Sequence, residues 1–204
     1  MHKLTLPAKD VWFTSDTHYG HDNILRYCDR PFETIDAHDE ALLNNAWETV
    51  GEGGVLVHLG DVVFGRVEKA RAVTSRLPGG LKILVAGNHD YEQTLEAPDW
   101  DMVVPYLELK LQLGGREVLL VLSHYPFEIW NKSHHGALHL HGHSHGSLPA
   151  LLKEAGGRLD VGVDAWDFRP IQLSDIEKRL KQVRQNRHDG RAPYAVRKGR
   201  YDPR

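Results

Sequence analysis

The chain has 204 residues, 41% hydrophobic and 26% charged, enough for one domain with a sizeable core and unlike a disordered chain. One cysteine, Cys28, excludes an internal disulfide, and no apolar run reaches signal-peptide or membrane-spanning length, so the expectation is a cytoplasmic protein with no membrane partner. Net charge is −3, but residues 178–204 hold ten Lys/Arg against two Asp, +8, which leaves −11 for the remainder. An acidic body suits a cation site. The basic tail, residues 187–204, could touch nucleic-acid phosphates or be a solvated helix end.

Residues 10–15, Asp-Val-Trp-Phe-Thr-Ser, are strand formers. They deliver Asp16 and His18, two residues apart and therefore on one face, at the carboxyl end of a buried strand. Gly20-His21-Asp22-Asn23 opens a short helical stretch to Cys28, with Asp22 placed to cap it. Residues 36–50 read as a helix, its apolar face made by Leu42, Leu43, Ala46, Trp47 and Val50. Val55 to Leu59 is an apolar strand ending at Gly60-Asp61. Val67, Ala70, Val73 and Leu77 mark the next helix, and residues 81–86 a third strand ending at Gly87-Asn88-His89-Asp90. Strands alternating with helices imply a buried sheet.

The pattern changes from Met102. Residues 106–113 and 117–122 form a hairpin around Gly114-Gly115-Arg116, whose second strand runs into Ser123-His124. Residues 137–140 are a short strand entering His141-Gly142-His143-Ser144-His145-Gly146, and residues 159–164 another. Ser174-Asp175-Ile176-Glu177 reads as a capping box, with Ile176, Leu180 and Val183 as the buried stripe of the last helix. The periodicity fades past Asn186, so one domain is expected over residues 1–186.

Seven of the fourteen histidines lie between Ser123 and Gly146. Alone, such a stretch is equally a compositional tract. Its context is more specific: Asp16 with His18, Asp61, Asn88 with His89, His124, and His143 with His145 each follow an apolar strand. Ligands of open α/β sheets bind outside the carboxyl ends of the strands. Neutral imidazole with carboxylate or amide oxygen suits Mn, Fe, Zn, Ni or Co, and the lack of thiolates argues against a structural zinc finger. Among the other candidates, His58 reads as a core histidine. His139 and His141 read as partners that orient ligand imidazoles, and His134 and His135 as a border of the site entrance. Asp90 reads as the cap of the following helix or as a support for His89. Trp130, Trp166 and Phe168 are either core or site wall.

Asp16-Thr17-His18, Gly60-Asp61, Gly87-Asn88-His89-Asp90, His124 and Gly142-His143-Ser144-His145 resemble, in order, the five blocks of the calcineurin-like metallophosphoesterase superfamily. The opening Ser15–Asp16–Thr17–His18–Tyr19–Gly20–His21, then Asn23-Ile24 and Arg30-Pro31-Phe32, is most similar to small bacterial and phage-type phosphoesterases. The resemblance implies a four-layer α/β-β/α sandwich of two mixed sheets flanked by helices. It implies two divalent ions, Mn first, with Fe, Ni, Co or Zn as alternatives. Asp16, His18 and His145 would hold one, Asn88, His124 and His143 the other, and Asp61 would bridge. His89 would be catalytic, and His21, Asn88 and His89 would meet the substrate phosphate. The implied reaction is hydrolysis of a phosphodiester, with monoesters as a further possibility, by water activated between the ions. A nucleotide, cyclic nucleotide or nucleic-acid end is the implied substrate. A non-catalytic scaffold and a protein phosphatase are the alternatives. The second departs from this sequence at Phe64, where that group of enzymes carries an Asp.

Overall fold

The computed structural model describes residues 2–189. Residues 190–204, on which most of the basic-tail expectation falls, lie outside the described residues. Within them, two sheets pack face to face. Strands β1 (His2–Pro7), β6 (Leu107–Leu113), β7 (Arg116–Leu122), β8 (Leu138–His141), β10 (Gly157–Asp160) and β9 (Leu151–Leu152) form a six-stranded sheet in that order. Strands β2 (Val11–Thr14), β3 (Val55–His58), β4 (Leu81–Val85) and β5 (Met102–Val104) form a four-stranded one. The expected two-sheet α/β sandwich is observed. The larger sheet is mixed, whereas the smaller is parallel throughout. A parallel neighbour requires a crossover, and α2 (Ile35–Val50) and α3 (Val67–Thr74) lie in two of them.

Alternation along the strands builds both cores. Val11, Phe13, Val57, Leu59, Ile83 and Val85 face Leu107, Leu109, Leu111, Leu120, Leu122 and Leu140 between the sheets. Helix α5 (Leu173–His188) adds Leu173, Ile176 and Leu180 to this core beside β10. The opposite residues of the small sheet, Leu56 and Leu84, pack on Leu42, Leu43 and Val50 of α2 and Ala70 and Val73 of α3. The outer face of the large sheet is covered around Val121, Trp130 and Ala137 by the connection between β7 and β8.

Local details differ from the sequence expectations. Helix α1 (Asp22–Tyr27) is preceded by His21 at the cap position, and Asp22 sits in its first turn. Helix α5 begins earlier than expected: Gln172 is the cap, its N–H bonded to Asp175 at 3.0 Å, so Ser174 is inside the helix. Strand β10 stops at Asp160, and residues 163–165 form a 3-10 turn. Strands β5 and β9, of three and two residues, are too short to announce themselves, and β1, where Leu4, Thr5 and Leu6 do alternate, joins the sheet by pairing with β6.

Candidate metal centre

The carboxyl ends of β2, β3, β4, β7 and β8 converge. Their loops are sewn together by backbone bonds, among them Asp16 N–H to Gly60 O (3.0 Å), His18 N–H to Asp61 O (3.0 Å) and Gly142 N–H to His124 O (3.0 Å). Among the described residues, Asp16, His18 and His145 each offer a ligand atom, all within 4.8 Å of one another, and so do Asp61, His124 and His143. Asp61 Oδ2 joins the two sets, 3.5 Å from His18 Nε2 and 3.5 Å from His124 Nε2. Asn88 Oδ1 is 3.0 Å from His124 Nε2. All seven proposed metal ligands are therefore at one place. His89 and His21 flank them, their rings 5.5 and 5.6 Å from that of His18. The His89 N–H donates to Asp61 Oδ1 at 2.8 Å.

The polar atoms here fit a cation. His124 Nδ1 lies 2.7 Å from the carbonyl oxygen of Leu59. Nδ1 donates there, since a carbonyl only accepts, and Nε2 on the far side of the ring faces two oxygens, of Asn88 and Asp61. A cation between these acceptors would satisfy all of them. His145 repeats the arrangement: Nδ1 is 2.8 Å from Asp164 Oδ2, and Nε2 points towards Asp16 Oδ1 at 4.0 Å. Carboxylates that hold the far nitrogen of an imidazole orient it for a metal. Both ring nitrogens of His18 are buried without a hydrogen-bond partner. Burial, then the charges of His145 and Arg30, pull its pKa down to about 2, so the ring is a neutral donor. Burial raises the pKa of Asp16 well above the usual carboxylate range, with Asp160 and Asp61 adding to it against the opposing charge of His145. Burial alone would lower His145, but hydrogen bonds to Asp164 and Cys28 and the charge of Asp16 outweigh it and hold the pKa at about 11, so an ion taking this ring as a ligand would have to displace its proton.

Several supporting residues were not visible as such in the sequence. Arg30 is buried. It pairs with both oxygens of Asp164 at 2.8 Å and donates to the carbonyls of Asp16 (2.7 Å) and Thr17 (2.9 Å). This one guanidinium thus fixes the loop after β2 and, through Asp164, the His145 ring. Arg30 and Asp164 are 134 positions apart, and no local pattern links them. Asp160 accepts from Ser144 Oγ (2.6 Å), Gly146 N (2.9 Å) and Gly162 N (2.7 Å), clamping the His-Gly-His turn. Cys28 lies within ligand range of His145 and Asp164, so a thiol does border the centre.

Other expectations need correction. Asp90 does not cap α4 (Glu92–Leu95), whose cap position is Tyr91. Its carboxylate gathers the N–H groups of Asp61 (2.9 Å), Val62 (2.8 Å) and Gly87 (2.9 Å), tying the β3 and β4 loops. His139 bridges Val121 O (2.8 Å) and Phe127 N (2.9 Å), and His141 bonds Gly142 O (2.8 Å), so they brace backbone rather than ligand rings. His135 lies beside Val118 and Leu138, near the starts of β7 and β8 and thus at the opposite strand ends. Trp130 and Phe168 are core. Trp166 bonds Asp160 O and lies under Arg179. His58 is the core histidine expected, 3.0 Å from Thr17 Oγ1.

Comparison with known proteins adds kinship. No protein-family model matches the chain. It is 31% identical over 201 residues to the gene 66 protein of Mycobacterium phage D29, spanning 84% of this chain and 99% of that one. The chain belongs to the family of this phage gene 66 protein. This gene 66 relative is also 25% identical to the uncharacterized protein MJ1445 of Methanocaldococcus jannaschii, over 87% of the chain and 94% of the other. Its fold matches a protein of unknown function from Aquifex aeolicus, AQ665, with a TM-score of 0.59 and 25% identity, covering 82% of this chain and 97% of that one. An overlay on Pseudomonas putida nuclease MPE, with a TM-score of 0.42 at 18% identity over 76% and 79% of the two chains, is too loose to carry an inference.

Proposed function

We propose that this gene 66 relative is a metal-dependent phosphoesterase that hydrolyses phosphodiesters, nucleotides or nucleic-acid ends being the substrate. The observation that supports it is the gathering around Asp61: Nε2 of His18 and Nε2 of His124 each lie 3.5 Å from Asp61 Oδ2, Asn88 Oδ1 lies 3.0 Å from the same His124 nitrogen, and both ring nitrogens of His18 are buried with no hydrogen-bond partner. Asp16, His18 and His145 would hold one divalent ion and Asn88, His124 and His143 a second, Asp61 lying between, with Mn²⁺ the first choice. Bound ions supply neutralisation of phosphoryl charge and an acidified water.

The chain's own groups do the rest. Asp164 holds His145 in one orientation, Asp160 holds the turn that carries His143 and His145, and Asp90 holds the backbone on either side of Asp61. His89 donates a proton to the departing oxygen, and His21 and Asn88 meet the phosphate from either side. The Phe64 ring lies 6.3 Å from that of His89, and His89 Nδ1 has no hydrogen-bond partner, which speaks against the carboxylate-assisted chemistry of protein phosphatases.

The test is turnover of an aryl phosphodiester with Mn²⁺, Fe²⁺, Ni²⁺, Co²⁺ or Zn²⁺, read beside bound metal by mass spectrometry. Asp61→Asn should lose both metal and activity. His89→Ala should keep metal and lose about 100-fold or more in kcat. Absence of turnover with every one of these ions would sink the reading.

A further inference from the structure

A flat aromatic ring exposed to water offers a face on which another ring can stack. Phe64 is such a ring, 39% exposed, although Val62 and Val63 just before it are fully buried. The backbone does not let it turn inward: Phe64 N–H donates to Tyr19 O (2.8 Å), Val63 bridges Tyr19, and Gln93 donates to Gly65 O (3.0 Å). One face of the Phe64 ring stacks on His21, with centroids 4.3 Å apart and planes 23° from parallel. Tyr27, 63% exposed, meets the His21 edge at 6.1 Å. This group stands directly beside the centre, His21 against His18 and Phe64 6.3 Å from His89. The flat surface therefore lies on the His89 side of the centre, one ring away from His18.

We propose that Phe64, backed by His21, is a stacking platform for a nucleobase, so that the substrate is a single-stranded nucleic acid or nucleoside phosphodiester whose leaving nucleoside lies on the His89 side. The inference rests on the phosphoesterase reading above. In that hydrolysis the water oxygen bonds to phosphorus and releases a proton to solvent, the P–O bond to the nucleoside breaks, the leaving oxygen takes a proton from His89, and His89 regains one from solvent. Stacking tolerates any base, because every base has a π-face, so the platform selects base-bearing substrates without selecting sequence.

The experiment compares a dinucleotide carrying 2-aminopurine on the leaving nucleoside with the same linkage to an abasic sugar. In the unaltered protein kcat/KM should favour the base-bearing substrate by roughly tenfold or more, the ordinary worth of one base–aromatic stack. In Phe64→Ala the ratio should fall towards one, whatever happens to the absolute rates, and Phe64→Trp should retain it. Independently, 2-aminopurine fluorescence should be quenched on binding to the unaltered protein and to Phe64→Trp, but not to Phe64→Ala. An unchanged ratio in Phe64→Ala, or no quenching in the unaltered protein, overturns the platform. Quenching that depends on Phe64, without hydrolysis of either substrate, would leave the platform standing and remove the phosphoesterase. Hydrolysis with no preference for the base would do the reverse.

Discussion

His139 shows how a histidine is used here for structure rather than chemistry. Its Nδ1 donates to Val121 O and its Nε2 accepts from Phe127 N, so the ring is neutral and both nitrogens are satisfied. Burial, partly opposed by the Val121 carbonyl, depresses its pKa to about 4. An ordinary histidine titrates near 6.5, so the unfolded chain binds the extra proton first as pH falls. The stabilisation is complete above about pH 6.5 and is lost as pH drops towards 4. By pH 5 this one residue should cost about 2 kcal/mol. Buried His18, His58 and His141 have depressed pKa values too and add to the same loss, so thermal melts of the metal-free protein between pH 7 and 5 should show a combined slope, which His139→Gln, able to keep both hydrogen bonds, should reduce by about 2 kcal/mol. An identical slope in the variant would refute the assignment. At this scale the sequence exposed which residue types were present and where the strand-end acids and imidazoles fell. It set His143 and His145 apart from His139 and His141, but not what the latter two hold, because their partners, Val121 O and Phe127 N for His139, lie on other segments.

The loops between elements carry most of the strain. Asp16, His18, Asp61, His143 and His145, five of the seven proposed ligands, have positive φ, between 46° and 66°. Left-handed backbone in residues other than glycine costs on the order of 1–3 kcal/mol each and persists where the surroundings impose it. The imposing contacts are the Asp90 and Asp160 carboxylates and the close approach of Gly60 to Gly87. A Cβ on Gly60 would lie 2.6 Å from Gly87 Cα and 2.7 Å from His124 Nδ1, whereas one on Gly51, also at positive φ, would meet nothing within 4 Å. Gly51 has φ 65° and ψ −174°, a conformation almost confined to glycine, so Gly51→Ala should cost about 1–3 kcal/mol of stability and still leave metal binding intact. Gly60→Ala should lose metal binding as well, measured by titration calorimetry with Mn²⁺. Equal metal affinity in the two variants would show that the loop apposition is not what builds the centre. Sequence punctuation by glycine marked these turns. Which glycines were crowded depends on the neighbouring strand's loop, which local sequence does not contain.

Across the whole molecule, the two sheets contribute opposite halves of the centre. β2, β3 and β4 of the parallel sheet supply Asp16, His18, Asp61 and Asn88, and β7 and β8 of the mixed sheet supply His124, His143 and His145. An ion bound between them would therefore cross-link the layers. It would also relieve the crowding of Asp16 with Asp61 and Asp160, which together with burial raises the Asp16 pKa. Mn²⁺ at about 100 times its dissociation constant should add roughly 2.7 kcal/mol, a rise in Tm of roughly 5–10 °C for a chain of this size, reversed by chelator. A Tm insensitive to metal would mean that no ion bridges the layers. The sequence by itself determined the alternation of strands and helices, the inward faces of the sheets and the placing of ligand-type residues after strands, because periodicity and turn chemistry are local. Only the tertiary structure decided that Arg30 meets Asp164, that Asp90 holds a loop rather than a helix, and that Phe64 stays in water, because each depends on contacts between segments that no short-range pattern encodes.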